Sequence, residues 1–401
     1  MIKLTEYKLS DLYKMDSGIG TSKEQAGHGA PFISFSDIFN NTILPEKLTQ
    51  KMDTTSEEQE KYSVKKGDIL LTRTSETIDE LAMSSVAIKD YPNATFSGFA
   101  KRLRPIQNNI TYDKYMAFLL RSKYFRDIIN AKTIMTLRAS FNEDIFNDIK
   151  ILLPDYNIQV KVGDFLFDIE KQIENNKKFS LELESLAKTI YEYWFLQFDF
   201  PTEEGTPYKS SGGKMVWNEK LNREIPNGWN VEQLINIANL YQPQTLSDKD
   251  LIDNGKYMVY GAGGVFGKYN EFNHNEREVI ISCRGNCGQV RMTIPKSWIN
   301  GNYMVVHPFL DYRIQEYIYY SLKIIGVEKC ITGSVQRQIT RTNLENYYIL
   351  IPNRKIVDKF ENIMELIRIK IENIFYENEK LESLKNFIIP LLMNGQVTFR
   401  D

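Results

Sequence analysis

Apolar residues recur every three or four positions along two long stretches of the chain, a spacing that places them on one face of a helix. The first stretch carries Val162, Phe165, Ile169, Ile173, Asn176, Leu183, Leu186 and Ile190. The second stretch keeps this spacing through Phe360, Ile363, Ile367, Ile371, Ile374, Asn378, Leu381, Leu384 and Ile388. Heptad-like stripes of matched length favour pairing of the two helices, although packing of each helix on its own domain remains open. Pro390 is predicted to end the second helix.

The two stretches belong to an internal repeat. Ile151-Leu152-Leu153-Pro154 recurs 198 positions later (349 − 151) as Ile349-Leu350-Ile351-Pro352, and 14 of the 40 residues aligned from that point are identical. Upstream the similarity is weaker and its offset drifts, so that Arg73 matches Arg284 at an offset of 211 (284 − 73). Repeats of such a long period indicate duplicated domains rather than solenoid turns.

Each half is therefore predicted to be a divergent domain followed by a similar helix. Strand and helix patterns alternate within both domains. Strands are predicted at residues 68–73, 94–99, 279–284 and 303–306, and shorter helices at 112–130 and 317–322. The pattern predicts the α+β class, with two mixed α/β domains joined by two paired long helices. The predicted boundaries are 1–154 for the first domain, 155–200 for its helix, 201–224 for a flexible linker, 225–352 for the second domain and 353–395 for the second helix.

Composition fits a soluble cytoplasmic protein of two or more domains. The chain has 401 residues, of which 42% are hydrophobic, so each half can bury a core of its own. No apolar run is long enough for a signal peptide or a membrane span. Three cysteines suggest reduced thiols rather than a disulfide framework. The formal net charge of −2 weakly opposes a stand-alone nucleic-acid binder, yet allows local basic patches or a partner that supplies more positive charge.

Residues that could carry catalysis are few. The glycine-rich stretch 261–269 lacks the glycine spacing of a dinucleotide fingerprint and the Ser or Thr of a phosphate-binding P-loop, so a turn between strands is the preferred interpretation. Cys283 and Cys287 have no second ligand pair nearby, which makes a zinc site improbable. His28, His274 and His307 are scattered and define no acid–base pair. We expect a chain without catalytic residues, metal or cofactor.

The ordered motifs resemble the DNA specificity subunits of type I restriction–modification systems, and the resemblance covers nearly the whole chain. Each motif is weak alone, but their order together with the duplicated helix is specific. The chain departs from its own repeat at Thr136-Leu137-Arg138-Ala139, where the second half has Ser334-Val335-Gln336-Arg337. The resemblance rests on Tyr7–Leu12, Gly67–Thr74, Phe96–Phe99, Trp194–Pro201, Gly205–Tyr208, Ile225–Trp229, Tyr260–Gly264, Arg284–Gly288, Gly333–Gln336 and Ile349–Pro352.

The resemblance implies two target recognition domains, each reading one half of a split DNA site. The two long helices would pair antiparallel as a coiled coil that sets the distance between the domains. It implies a non-catalytic subunit whose partners are double-stranded DNA, two adenine-N6 methyltransferase (modification) subunits and ATP-driven restriction subunits. Any S-adenosylmethionine, ATP and magnesium would be used by those partners.

Base readers are expected among arginine, lysine, amide and hydroxyl side chains where strands end in loops. For each of them, a solvated or loop-bracing role remains open. Arg102, with Arg104, is interpreted as a phosphate contact or surface charge rather than a base reader. The candidates are Arg73, Thr74, Ser75, Ser97, Lys101, Arg102, Arg138, Arg284, Asn286, Asn302, Gln336, Arg337 and Gln338. Two other classes remain open, namely a coiled-coil interaction scaffold without a DNA ligand and an enzyme with an unusual site in the glycine-rich stretch.

Overall fold

The computed structural model describes residues 3–75, 80–132, 139–261, 263–333 and 336–397. The chain forms two compact units. Unit 1 contains residues 1–176 and 377–401, and unit 2 contains residues 177–376. Each unit therefore combines one mixed α/β domain with a part of both long helices. The predicted α+β class, with two mixed domains and two long helices, is confirmed.

The domain of unit 1 consists of short strands and helices that lead into the first long helix, α7. Its strands are β1 (Leu4–Lys8), β2 (Tyr13–Ser17), β3 (Ala26–Ile33), β4 (Lys51–Met52), β5 (Ile69–Thr72), β6 (Thr74–Ser75), β7 (Ser84–Val86), β8 (Thr95–Phe96), β9 (Ala100–Pro105), β10 (Ala139–Ser140) and β11 (Lys150–Pro154). Its helices are α1 (Leu9–Leu12), α2 (Phe35–Asn40), α3 (Ser56–Lys61), α4 (Asp113–Leu119), α5 (Lys123–Lys132), α6 (Glu143–Asp148) and α7 (Tyr156–Tyr191). The π-helical turn Glu192–Leu196 extends α7.

The domain of unit 2 repeats this plan and leads into the second long helix, α10. Its strands are β12 (Met215–Asn218), β13 (Arg223–Pro226), β14 (Asn230–Gln233), β15 (Ala238–Tyr241), β16 (Tyr257–Gly261), β17 (Gly264–Tyr269), β18 (Val279–Ser282), β19 (Val290–Met292), β20 (Trp298–Ile299), β21 (Tyr303–Pro308), β22 (Ile331–Thr332), β23 (Gln338–Ile339) and β24 (Tyr348–Ile351). Its helices are α8 (Gln315–Ile325), α9 (Arg341–Glu345) and α10 (Arg354–Met393).

Both domains are built on the same sheets. The order β2-β9-β5-β7 in unit 1 matches β15-β21-β18-β19 in unit 2, and all neighbours are antiparallel. A three-stranded sheet with one antiparallel and one parallel neighbour accompanies it, β4-β3-β8 in one unit and β17-β16-β20 in the other. The internal repeat therefore extends to the divergent domains.

The equivalent inner strands β5 and β18 are buried along their whole length because both of their faces are covered. In β5, Ile69 and Leu71 enter one buried cluster and Leu70 enters another. In β18, Ile280 likewise lies in a different cluster from its two neighbours. Alternate side chains of an extended strand point to opposite faces, so each inner strand joins two cores.

The long helices run antiparallel within each unit. In unit 1, Glu170 of α7 accepts a hydrogen bond from Lys385 of α10 at 2.8 Å. In unit 2, Glu184 accepts one from Arg368 at 2.9 Å, and farther along α7 the ring centroid of Tyr191 lies 6.2 Å from that of Phe360. Successive contacts thus involve higher residue numbers in α7 and lower residue numbers in α10, as expected for antiparallel helices. The two helices pair with each other and also pack on the domains, so the two interpretations of the apolar stripes are not exclusive.

Two details of the sequence-based prediction are corrected. Pro390 does not end α10, which continues to Met393, because Leu392 and Met393 are buried in the core of unit 1 and hold the last turn in place. Residues 201–224 are a folded connector rather than a flexible linker. Phe200 stacks on Tyr208 with ring centroids 4.6 Å apart, and β12 pairs with β13 in register.

Candidate nucleic-acid interface

Equivalent loops follow β5 and β18, and backbone hydrogen bonds align them residue by residue. The Arg73 N–H donates to the Phe99 carbonyl at 2.8 Å, and the Cys283 N–H donates to the Asn302 carbonyl at the same distance. The Arg73 carbonyl in turn accepts from Phe141 N–H, as the Cys283 carbonyl accepts from Ile339 N–H. Arg73 therefore corresponds to Cys283.

The predicted match of Arg73 with Arg284 is thus wrong by one position. The strands before these loops begin at Ile69 and Val279, which is an offset of 210 (279 − 69) rather than 211. Arg73 and Arg284 are identical residues one position apart in this register, and the hydrogen bonds show that Thr74 is the structural equivalent of Arg284. The two domains therefore present different side chains at this edge.

In unit 2, the loop after β18 holds its polar side chains outward. Gly285 and Gly288 adopt the left-handed conformation, with φ of 71° and 90°, which residues with a side chain rarely adopt. The Ser282 hydroxyl closes the loop by donating to the carbonyl of Asn286. Arg284 and Asn286 are exposed as a result.

A cleft of about 640 Å³ lies beside this loop and collects several of the predicted residues. The hairpin of β22 and β23 forms its other wall and is tied to the loop by the bond from Ile339 to Cys283. None of the described residues that line the cleft is acidic. Its lining residues are Arg284, Gly285, Gln336, Arg337 and Gln338.

The guanidinium groups of Arg284 and Arg337 make no hydrogen bond or ion pair to any other described residue. The remaining arginines of unit 2 are engaged by carboxylates, amide or carbonyl oxygens, or an aromatic ring. They are Arg223, Arg277, Arg291, Arg313, Arg341, Arg354 and Arg368. Two unengaged guanidinium groups in one acid-free cleft form a site for an anionic or acceptor-rich ligand.

The corresponding edge of unit 1 also carries positive charge. Arg73 is exposed, and its guanidinium has no partner among the described residues. Partial burial lowers the pKa of Lys101, and the nearby charge of Arg73 adds to that effect against the opposing carboxylates of Glu143 and Asp16. Lys101 also donates to the Ser17 hydroxyl at 2.8 Å. Arg73 and Lys101 therefore contribute positive charge to the same edge of unit 1.

The chain matches a known protein family. Residues 1–185 and 226–383 match the family described as "Type I restriction modification DNA specificity domain". The chain belongs to this family. Its membership confirms the predicted function at this level, a non-catalytic DNA specificity subunit of a type I restriction–modification system.

Named relatives match over almost their whole length. The type I restriction enzyme MjaIX specificity subunit of Methanocaldococcus jannaschii is 23% identical, and the match covers 98% of this chain and 93% of that protein. The HindI specificity subunit of Haemophilus influenzae is 21% identical over 91% of this chain and 94% of its own. The crystal structure of the S subunit from M. genitalium has the same fold, with a TM-score of 0.63, 17% identity and coverage of 100% and 97%.

Several residues of this specificity protein that were predicted to contact DNA instead form hydrogen bonds and ion pairs within the domain. Arg102 is only 4% exposed, and it donates to the Asp16 carboxylate at 2.8 Å and to the Ser63 carbonyl. Arg104 pairs with Asp68 through two hydrogen bonds of 2.8 and 2.6 Å. Both arginines therefore brace the domain, and the prediction that they contact phosphate or solvent does not fit their surroundings.

The predicted hydroxyl and amide residues divide in the same way. The Ser97 hydroxyl is buried and accepts from Phe99 N–H, which shapes the turn before β9. Ser75 is buried beside Glu80. Thr74 and Asn302 are partly exposed at the two equivalent edges, with Asn302 next to the loop of Arg284. Arg138 lies outside the described residues.

One exposed residue at the unit 1 edge was not predicted. Phe99 is 67% exposed, and its backbone carbonyl accepts from the Arg73 N–H, so the two residues are neighbours at this edge. Asn302 occupies the equivalent place in unit 2. Apolar side chains contact the thymine methyl group or wedge between base steps. The sequence predicts only a strand at residues 94–99 and places Phe99 in none of the candidate sites.

The residues considered for catalysis are placed apart from this edge or inside the fold. Burial raises the pKa of the Cys283 thiol to about 11, which disfavours the thiolate form that acts as a nucleophile. The glycine-rich stretch forms the turn between β16 and β17, of which Ala262 lies outside the described residues. No cluster of histidine, cysteine or carboxylate residues suited to a metal is found among the described residues. Over the same residues, no helix has both the length and the apolar character that a membrane crossing requires.

Proposed function

We propose that each of the two domains reads one half of a split, asymmetric DNA site. The reading surface would be the edge formed by the loop after β5 in unit 1 and after β18 in unit 2. The observation that carries the proposal is the pair of structurally equivalent edges on which arginines remain unengaged while the other described arginines are bound within the fold. Symmetric dimers read palindromes because their two-fold symmetry is copied onto the site. One chain with two unlike edges would read two unlike half-sites.

The side chains of the unit 2 cleft suit base recognition. Arginine reads guanine by donating to its O6 and N7 atoms, and glutamine reads adenine by pairing with N6 and N7. Arg284 and Arg337 could serve in the first way and Gln336 or Gln338 in the second. Thr74 and Phe99 of the other edge would favour contact with a thymine methyl group, while Arg73 and Lys101 would hold guanine or phosphate.

The chain would act with partner subunits rather than alone. Non-specific attraction to DNA comes mainly from neutralisation of its phosphates by basic side chains. Because the net charge of this chain is −2, that attraction is weak. We infer that two modification subunits and, for cleavage, restriction subunits complete the complex and add positive charge. S-adenosylmethionine, ATP and magnesium would bind to those subunits and not to this chain. The paired helices would set the gap between the half-sites.

Exposed apolar side chains on the long helices are the candidate contacts for the modification subunits. Among the apolar residues that flank the stripes, Leu166, Trp194 and Met364 are buried in their own units, whereas Phe179 and Phe387 are exposed. Leu181 and Leu366 in unit 2 are largely exposed as well.

Domain exchange tests the assignment of one domain to one half-site. Replacing residues 1–154 with the corresponding domain of a relative is expected to change one half of the methylated site and leave the other half and the gap unchanged. The measurement is sequencing-based mapping of N6-methyladenine after addition of the modification subunit and S-adenosylmethionine. The chain alone is expected to give no methylation.

The reciprocal exchange of residues 225–352 is the matched control, because it should alter only the other half-site. If either exchange changed both half-sites, or neither, the assignment of one domain to each half would be wrong. Methyl transfer by the purified chain without the modification subunit would contradict the non-catalytic role.

Arginine substitutions test the reading edges. Arg284→Ala and Arg337→Ala are each expected to weaken binding to the specific site by about 1–3 kcal/mol, the value of a good bidentate contact with guanine. Arg73→Ala should act in the same way on the other half-site. Binding of the complex to specific and random DNA is measured at a fixed salt concentration, because phosphate contacts depend strongly on salt.

Arg354→Ala provides the control, since Arg354 is exposed but pairs with Asp311 and lies at the start of α10. It should leave both affinities unchanged. Equal losses on specific and random DNA for Arg284→Ala or Arg337→Ala would show that these arginines contact phosphates, and no loss on either would remove the cleft from the interface.

A further inference from the structure

The paired helices contact each other through polar residues as well as apolar ones. In unit 1, Lys385 lies between two carboxylates, that of Glu170 at 2.8 Å and that of Glu382 at 2.7 Å. Nearby, the side-chain amide of Asn176 donates to the amide oxygen of Asn378 at 2.9 Å. Asn176 is only 8% exposed, so this bond satisfies an amide that is largely removed from water.

The contacts at the equivalent positions of the two helices in unit 2 involve different residues. Arg368 donates to Glu184 of α7 at 2.9 Å and to both carboxylate oxygens of Glu316, also at 2.9 Å. Ala187 is fully buried one turn farther along α7. The acids here are therefore balanced by an arginine on α10 rather than by a lysine.

The 198-residue repeat shows which positions of the two helices are equivalent. Although the apolar stripe is similar in both, the residues at the polar contacts differ. The corresponding residues are Glu170 and Arg368, Asn176 and Ile374, Ser180 and Asn378, Glu184 and Glu382, and Ala187 and Lys385. Pairing of a helix with a second copy of itself would replace each contact residue by its equivalent.

Two copies of α7 would be mismatched in charge. Glu170 of one copy would meet Glu184 of the other, and Ala187 would stand where Lys385 now lies between the acids. Because the pair is symmetric, this contact would occur twice. Like charges set against each other without a base are a common way in which proteins reject a wrong partner.

Two copies of α10 would be mismatched at the amide. Asn378 would face Ile374, which offers no hydrogen bond, and Lys385 would approach Arg368. A half-buried amide that loses its partner costs free energy, and a single polar residue in an apolar seam often decides which helices pair.

We propose that the coil selects an unlike partner, such that α7 pairs with α10 and rejects a second copy of α7, with Glu170 as the residue that sets this choice. Copies of the chain would then not exchange halves to form symmetric pairs, so every assembled coil would carry one domain of each kind. This inference goes beyond the proposed reading of DNA and can be tested without DNA.

The test uses the full chain with a protease site inserted after Glu204, in the exposed turn closed by the bond from Thr202 N–H to the Thr206 carbonyl. The folded protein is cut, dissociated in urea and refolded, and native mass spectrometry counts the pairs. Mixed pairs of first and second halves are expected to exceed pairs of two first halves by at least about tenfold.

Glu170→Lys is expected to reverse this preference, because the introduced lysine would repel Lys385 in the mixed pair but would face Glu184 twice in a pair of first halves. Its ratio of like to mixed pairs should rise by at least about tenfold. Glu182→Lys is the matched control, since it makes the same charge change on the exposed face of α7. Wild-type protein that forms like pairs as readily as mixed ones, or a Glu170→Lys protein that behaves like the control, would overturn the proposal.

A second measurement in the uncut chain decides the matter even if the cut halves do not refold. Glu170→Lys and Lys385→Glu are each expected to lower the equilibrium constant for folding by about fivefold in urea unfolding, and the double variant to recover it to within about twofold. The double variant keeps one base between two acids. If the double variant lost as much stability as the two single variants together, the role of Glu170 in partner choice would be refuted.

Discussion

Replacement of Arg368 by methionine is expected to lower the free energy of unfolding by about 3–5 kcal/mol, the usual cost of leaving the partner of a buried ion pair uncompensated. Glu316 is 3% exposed, and Arg368 is the only base among the described residues that donates to its carboxylate. Although burial opposes ionisation, Arg368 and Lys323 hold the pKa of Glu184 below its ordinary value, and Lys323 would remain beside it in the variant. The unpaired charge of Glu316 therefore dominates the expected loss.

Urea unfolding of the full chain measures this change, and a second substitution identifies its cause. The double variant Arg368→Met with Glu316→Gln removes the stranded charge, so it should recover at least half of the loss, because replacing a whole buried ion pair is often close to neutral. A loss below about 1 kcal/mol for Arg368→Met, within the range of a surface ion pair, would show that water reaches this network.

The long helices could be predicted from the sequence because their signal is periodic and needs no knowledge of distant contacts. The spacing of apolar residues from Val162 to Ile190 was enough, and the start of α10 followed from the repeat. The last turn of α10 was missed because Pro390 breaks helices only on average, whereas the burial of Met393 depends on a core assembled from distant residues.

The candidate site was harder to predict because it depends on which charges are neutralised within the fold. Arg73 and Arg102 look alike in sequence, yet Asp16, paired across β2 and β9, engages only Arg102. The correspondence of Arg73 with Cys283 likewise depends on strand register, which a single residue of slip changes completely. Local sequence contains neither the partner of a charge nor the register of a strand.

Glu361 on α10 should make the stability of unit 2 depend on pH. It is 4% exposed and accepts a hydrogen bond from Tyr317 N–H at 2.9 Å. Burial raises the pKa of Glu361 from 4.5 to about 7, with Glu316 adding to the rise and Arg313 opposing it. The folded chain therefore binds this proton more tightly than the unfolded chain. The contribution of Glu361 to stability is complete below pH 4.5 and is lost as the pH rises from there through 7.

The free energy of unfolding should accordingly fall by about 3 kcal/mol from this group between about pH 4.5 and about pH 8, at roughly 1.36 kcal/mol per pKa unit. Glu361→Gln keeps an acceptor for Tyr317 but cannot ionise, so this share of the pH dependence should disappear and the variant should be more stable than wild type at about pH 8. Urea unfolding at about pH 5 and about pH 8 measures both effects, with Glu377→Gln as the control for an exposed carboxyl on the same helix. If Glu361→Gln and Glu377→Gln changed the pH dependence equally, the carboxyl of Glu361 would already be ionised in the folded chain at the lower pH, and its burial would have to be compensated by a cation such as Arg313.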